Sequence, residues 1–192
     1  MLLKLNQFQI QVRRPILFVG PHSTELVFRY TNPRILLPVQ IRMGYRVRPY
    51  NKSDNAEIIN LLSECGLSFS RRQLDEALHL CIPQGIHLIE STLDGSVASM
   101  MMSRHMSTDE FPFGGRIDWL ATSLKHRSNG LGRASIALAT NHLIKSGYSS
   151  IWVTTQSSRL NAIKLFMTSG FSPTEQTLST NNWKRAILNL ST

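Results

Sequence analysis

Only two cysteines occur in 192 residues, Cys65 and Cys81. They are too few and too isolated for a disulfide framework, and no second pair stands at zinc-finger spacing, so both read as reduced thiols and the chain is expected in the cytoplasm. The histidines His87, His105, His126 and His142 are scattered without metal-ligand spacing, and no metal is expected. No apolar run approaches the roughly 20 residues that cross a bilayer. Lys4, Gln7, Gln9, Gln11, Arg13 and Arg14 break up the first 25 positions, which argues against a secretory signal and a membrane partner.

Acidic residues are also scarce: 12 against 21 Lys and Arg, for a net charge of +9. The excess is uneven, because residues 1–42 carry six basic side chains against Glu25 alone. Such a balance suits nucleic acid, an anionic cofactor or a solvated surface. Without a zinc knuckle, an aromatic-rich RNA motif or a basic heptad repeat, nucleic acid is disfavoured.

With 42% apolar residues the chain can bury one core. Two regions are expected: a basic N-terminal extension over 1–43 and one domain over 44–192. In the extension, FQIQV and ILFVG are strand-like, but Pro15, Pro21, Pro33 and Pro38 limit them to short or edge elements. YRVRPY then alternates as a strand. Ser53 is a plausible N-cap for a helix stopped by Gly66, and Ser70 with Gln73 forms a capping box for a second helix that runs towards Pro83. GIHLIEST and SVASMMMS read as strands joined at Asp94-Gly95, a hairpin signal. After the loop RHMSTDEFPFGG come the strand RIDWLAT, a helix to about Ser146, the strand YSSIWVTT, a helix capped by Ser158 and ended by Gly170, and a last strand, WKRAILNL. The order β-α-α-β-β-β-α-β-α-β is an α/β (α+β) fold, a mixed, largely antiparallel sheet flanked by helices.

The segment HRSNGLGRAS sits between a strand and a helix. First-turn amides of a helix have no intrahelical acceptor, the helix dipole favours an anion there, and glycines admit a phosphate close to the backbone. The spacing fits neither an ATP-type P-loop nor a dinucleotide fingerprint.

RSNGLG, Arg127 to Gly132, resembles the R/Q-x-x-G-x-G/A signature of the GNAT superfamily of acetyl-CoA-dependent N-acetyltransferases. About thirty residues on, NAIKLFMTSGF is similar to that family's second signature. The resemblance covers roughly Tyr45 to Leu190. It implies acetyl-CoA as cosubstrate, with its pyrophosphate on Arg127, Ser128, Asn129, Gly130, Leu131, Gly132 and Arg133. Its pantetheine arm would lie along Leu120, Ala121 and Thr122, the N–H of Leu120 or Thr122 polarising the thioester carbonyl, and Asn161 and Phe166 would face the cofactor from the second signature. The implied activity is acetyl transfer to a primary amine, on a small molecule or a peptide, by a monomer or homodimer.

Two positions depart from the family pattern. Phe166 stands where many members carry a tyrosine that protonates the departing thiolate, and Arg159 replaces the usual asparagine, leaving Asn161 next to Ala162. A catalytically silent acyl-CoA-binding sensor or interaction domain is therefore the alternative. For the general base, Asp118 on the central strand is the first candidate, against its facing solvent or pairing with Arg116, and Glu90 the second. Met100, Met101 and Met102 either line a pliable pocket or fill the core.

Overall fold

The computed structural model describes Glu25–Ser191, so the FQIQV and ILFVG readings lie outside the described residues. One seven-stranded sheet runs in the order β2-β3-β4-β5-β6-β1-β7. Its strands are β1 (Glu25–Tyr30), β2 (Tyr45–Pro49), β3 (Cys81–Ser91), β4 (Val97–His105), β5 (Gly114–Thr122), β6 (Ser150–Gln156) and β7 (Phe171–Pro173). Every pairing is antiparallel except β5 with β6. Helices α1 (Asn55–Glu64) and α2 (Arg71–Leu78) precede β3, α3 (Leu131–Lys145) follows β5, α4 (Leu160–Thr168) precedes β7, and α5 (Glu175–Leu178) and α6 (Asn181–Ser191) end the chain. The mixed, largely antiparallel α/β fold is the one expected.

Strand β1 falls inside the segment read as an extension, yet it stands in the sheet interior. It pairs with β6 from Glu25↔Gln156 to Arg29↔Trp152 and with β7 from Phe28↔Pro173 to Tyr30↔Phe171. Its alternation buries Leu26, Phe28 and Tyr30 on one face. Where β7 stops short, Thr177 takes over, accepting from the Val27 amide at 2.8 Å and donating to the Val27 carbonyl at 3.0 Å.

That face carries α3, α4 and α6 over Leu26, Phe28, Met101, Ile117, Val153, Phe166 and Trp183. The opposite face packs α1 and α2 against Leu88, Met100 and Met102. All three central methionines are at most 1% exposed, so they fill the core rather than line a pocket.

The C-terminal stretch corrects an expectation: WKRAILNL is helix α6, not a strand. Trp183, Ala186, Ile187 and Leu190 pack on the core at i, i+3, i+4 and i+7, the helical period. Thr180 marks the start, its Oγ1 accepting from the Trp183 amide at 3.1 Å. The last strand is instead the three-residue β7. Asn51, rather than Ser53, caps the 3-10 turn Lys52–Asp54 that leads into α1, in a reciprocal box with Asp54; α1 itself has no side-chain cap, and α4 has Arg159 rather than Ser158 at its N-cap, with no side-chain cap. The Ser70–Gln73 box is present. Helix α2 ends at Leu78 and β3 begins at Cys81, so Pro83 lies in a strand. It is tolerated because β2 pairs with β3 only up to His87.

His87 on β3 and His142 on α3 meet edge to face, 5.0 Å apart. Burial, then the neighbouring His142, pushes His87 down to about 4. A neutral histidine in the fold against one of ordinary pKa, near 6.5, in the unfolded chain means that the unfolded chain takes up the proton first as pH falls. Stability should therefore decline from about pH 6.5 towards pH 4, by up to about 3 kcal/mol. Urea melts across that range should show the slope, and His87→Gln should flatten it; an equal slope in both would remove His87 as its source.

Candidate active site

The site is built where β5 and β6 part. Their parallel pairing runs from Gly114↔Ser150 to Ile117↔Val153 and goes no further, although both strands continue. Backbone groups on that edge of β5 beyond Ile117 thus face a cleft instead of a ladder. On its other side β5 stays paired with β4, with one residue too many: Met102 opposes Asp118 while Met100 opposes Ala121. Trp119 and Leu120 share the place opposite Met101, a β-bulge that re-aims the strand. Trp119 has φ 56°, a region costly for a bulky residue, and its ring is held against Phe69 at 4.6 Å.

The bulge leads into the glycine turn. Ser99 fixes the approach: its hydroxyl donates to the Ala121 carbonyl at 2.8 Å, so the Thr122 and Ser135 hydroxyls, each 2.9 Å away, must donate to it. That buried hub ties β4 and β5 to the first turns of α3. Ser128 at φ 63° and Gly130 at φ 76° then bend the chain around Asn129. Asn129 Nδ2 donates to the His126 and Arg127 carbonyls, both at 3.1 Å. No side chain caps α3, so its first-turn amides point outward unclaimed by the helix. Gly132 permits the close approach of α4, since a Cβ there would meet Leu165 Cδ2 at 3.0 Å. The structure thus brings Arg127, Ser128, Asn129, Gly130, Leu131, Gly132 and Arg133 together in one turn at the start of α3, directly after the end of β5 that carries Leu120, Ala121 and Thr122.

Sequence reasoning missed Arg42. The segment between β1 and β2 lies along α3, where Asn141 clamps the Leu37 backbone through both its amide oxygen (2.7 Å) and its nitrogen (2.8 Å). It delivers Arg42 Nη1 to Asn129 Oδ1 at 2.6 Å. Nothing in local spacing signals a contact across 87 positions.

The second signature separates into core and rim. Phe166 is 3% exposed and packs on Phe28 and Phe171, and Asn161 is exposed on α4. Arg159 reaches from the start of α4 to the Gly66 carbonyl at 3.3 Å, bridging to the loop after α1.

Both carboxylates considered for proton transfer are engaged. Arg46 and Arg48 bind Glu90 and hold its carboxyl below the usual range. Asp118 does stand beside the bulge, with Oδ1 2.7 Å from Arg116 Nε and Oδ2 2.5 Å from Arg104 Nε. It is 12% exposed in its side chain. The pairing alternative, with a second arginine added, describes its geometry. Among the described residues no group of three His, Cys, Asp or Glu is placed to hold a metal, and no helix is long and apolar enough to cross a membrane.

Comparison with solved structures finds the same fold in several proteins. A GCN5-related N-acetyltransferase from Sphaerobacter thermophilus superposes with a TM-score of 0.64 at 14% identity, over 79% of this chain and 49% of that one. Ard1 from Thermoplasma volcanium gives 0.60 at 17%, over 69% and 85%. The NatC complex bound to Gag peptide and CoA gives 0.62 at 18%, over 69% and 87%. At these identities the likeness is one of fold, and this chain spans about half the length of the first of them. No curated protein matches the chain in sequence. The profile of the acetyltransferase (GNAT) family matches residues 55–171, more than half of the chain, on both sides of the cleft and through the glycine turn. The chain belongs to the acetyltransferase (GNAT) family.

Proposed function

We propose that the protein is an N-acetyltransferase that moves the acetyl group of acetyl-CoA directly to a primary amine. The observation that carries this reading is the continuity of three features: the parting of β5 from β6, the bulge at Trp119–Leu120, and the uncapped start of α3 behind Gly130. The cosubstrate supplies the acetyl group as a thioester. The turn from Arg127 to Arg133 binds its pyrophosphate, the edge of β5 from Leu120 to Thr122 takes its extended arm, and the Leu120 N–H polarises the carbonyl. The amine, neutral on arrival, forms its bond to the carbonyl carbon as the carbon–sulfur bond breaks. Its surplus proton passes to water and the thiolate takes one from water, since Phe166 has none to give and is packed in the core.

Arg42 belongs to the same anion site through Asn129, beside Arg127 and Arg133. Loss of one exposed charge-assisted contact of about 1 kcal/mol predicts a roughly fivefold weaker Kd for acetyl-CoA in Arg42→Gln.

Thermal shift and calorimetry test the assignment. At about 100 times its Kd, acetyl-CoA should stabilise the protein by about 2.7 kcal/mol. Gly130→Glu should melt a few degrees below wild type on its own, since a side chain at φ 76° is strained, and should show no further rise with acetyl-CoA, because a carboxylate in the turn repels the pyrophosphate. No stabilisation of the wild-type protein overturns the reading. Tight binding with no turnover across a broad amine panel would instead make it a silent acyl-CoA-binding domain.

A further inference from the structure

Beside the bulge, on the face opposite α3 and α4, two arginines stand across from each other on β4 and β5: Arg104 and Arg116 are a direct cross-strand pair. Their side chains are only 6% and 10% exposed. Asp118 lies between them and is their one buried counter-charge. The alignment is uneven, since Arg116 Nε donates squarely to Asp118, whereas Arg104 Nε is close in distance without hydrogen-bond direction. Glu25, the nearest further carboxylate, is 49% exposed and 3.6 Å from Arg116 Nη2. Burial lowers the Arg104 pKa in spite of Asp118, and Arg116 adds to the lowering. The cluster is therefore short of negative charge.

Arg116 Nη2 donates to Thr154 Oγ1 at 2.9 Å, and its guanidinium lies 4.8 Å over the Trp152 ring; two of the other donors converge on one weak acceptor. Arg104 Nη2 lies 3.2 Å and Arg116 Nη1 3.5 Å from the thioether sulfur of Met106. A thioether is among the weakest acceptors in a protein, and buried cationic donors facing it forgo most of what a charged hydrogen bond returns. The backbone of Met106 is pinned, its amide donating to the Gly114 carbonyl at 2.8 Å and its carbonyl accepting from Trp152 Nε1 at 3.2 Å. Its unbranched side chain can swing aside without moving the loop.

We propose that the acceptor is a small amine that also carries an anionic group, held by Arg104 and Arg116 in the place of the Met106 sulfur. Two guanidinium groups make a bidentate seat for a carboxylate or a phosphate. Asp118, one residue before the bulge, sets that seat next to the cleft in which the amine reacts. This rests on the acetyl-transfer reading above and adds to it the chemistry of the acceptor. Asp118, Arg104 and Arg116 become specificity determinants, with no proton transfer assigned to them.

Two measurements decide it. The wild-type enzyme is given matched acceptors, β-alanine against propylamine and phosphoethanolamine against ethanolamine. At least tenfold higher kcat/KM for one anionic member is expected, and the pair that shows it separates carboxylate from phosphate. Equal use of charged and neutral partners overturns the proposal. Independently of activity, Met106→Glu places a carboxylate on the two arginines. It should raise the melting temperature by about 3–6 °C and erase the preference for anionic amines through KM, whereas Met106→Leu should do neither. A lower melting point for Met106→Glu than for Met106→Leu overturns the anion seat. Loss of acetyl-CoA stabilisation in the wild type fails the acetyl-transfer reading alone, and the melting comparison still decides the seat.

Discussion

A chain that starts at Met43 should not fold. Such a truncation keeps both family signatures and all of residues 55–171 matched by the family profile. It loses the strand that lies between β6 and β7. Leu26 and Phe28 are fully buried and Tyr30 nearly so. At about 1.5–3 kcal/mol per buried side chain, their removal costs roughly 5–9 kcal/mol, which equals much of the 5–15 kcal/mol a domain has to spare. The loss also opens an edge on β6, a template for aggregation, and leaves β7 with no strand to pair with. Insoluble expression, or a soluble product without a cooperative melt, is the expected result. A truncated protein that melts cooperatively within a few degrees of the full chain would show that β1 is dispensable. The milder variant Phe28→Ala removes the ring packed against Phe166 and Trp183 and should cost about 3–5 kcal/mol.

The second large effect concerns Asp118. Replacing it with Ala leaves Arg104 and Arg116 facing each other in the protein interior with no buried counter-charge. Breaking a buried pair from one side costs about 3–5 kcal/mol, which for a chain of this size is a fall of about 10 °C or more in Tm. Asn in its place keeps the shape without the charge and should also melt early. A general base behaves differently: Asp118→Asn that melts within 2 °C of wild type and has lost all turnover would restore Asp118 as the proton acceptor. Melting curves alongside kcat for the two variants separate these outcomes.

Most of the fold from Tyr45 to Gly170 was legible because its elements announce themselves locally, the exception being the start of β3 at Cys81, which reads as the end of a helix. Hydrophobic period, the Ser70–Gln73 box and the Asp94-Gly95 turn are all written within a few residues of the structure they specify. WKRAILNL shows the limit of strand-like composition: its apolar positions fit the period of a helix, and Thr180 stands at the start. Strand β1 was hidden for another reason, since Leu26, Phe28 and Tyr30 alternate plainly but their partners are more than a hundred positions away. The candidate site divides in the same way. The turn at Gly130 has a signature because backbone geometry constrains its residue types, whereas Arg42 reaches Asn129 only through the path of the chain along α3, and Arg104 meets Arg116 only through sheet register.

The contact between Val27 and Thr177 spans 150 positions. During synthesis, β1 leaves the ribosome long before any strand it pairs with. At about 5–20 residues per second the wait is roughly 8–30 s. Through that interval Leu26, Phe28 and Tyr30 stay without their native cover, and the sheet can close only once the last strand has been made. Newly made chains should thus depend on chaperone protection at their beginning, and a stalled or early-terminated message yields no partial domain that could bind a cofactor.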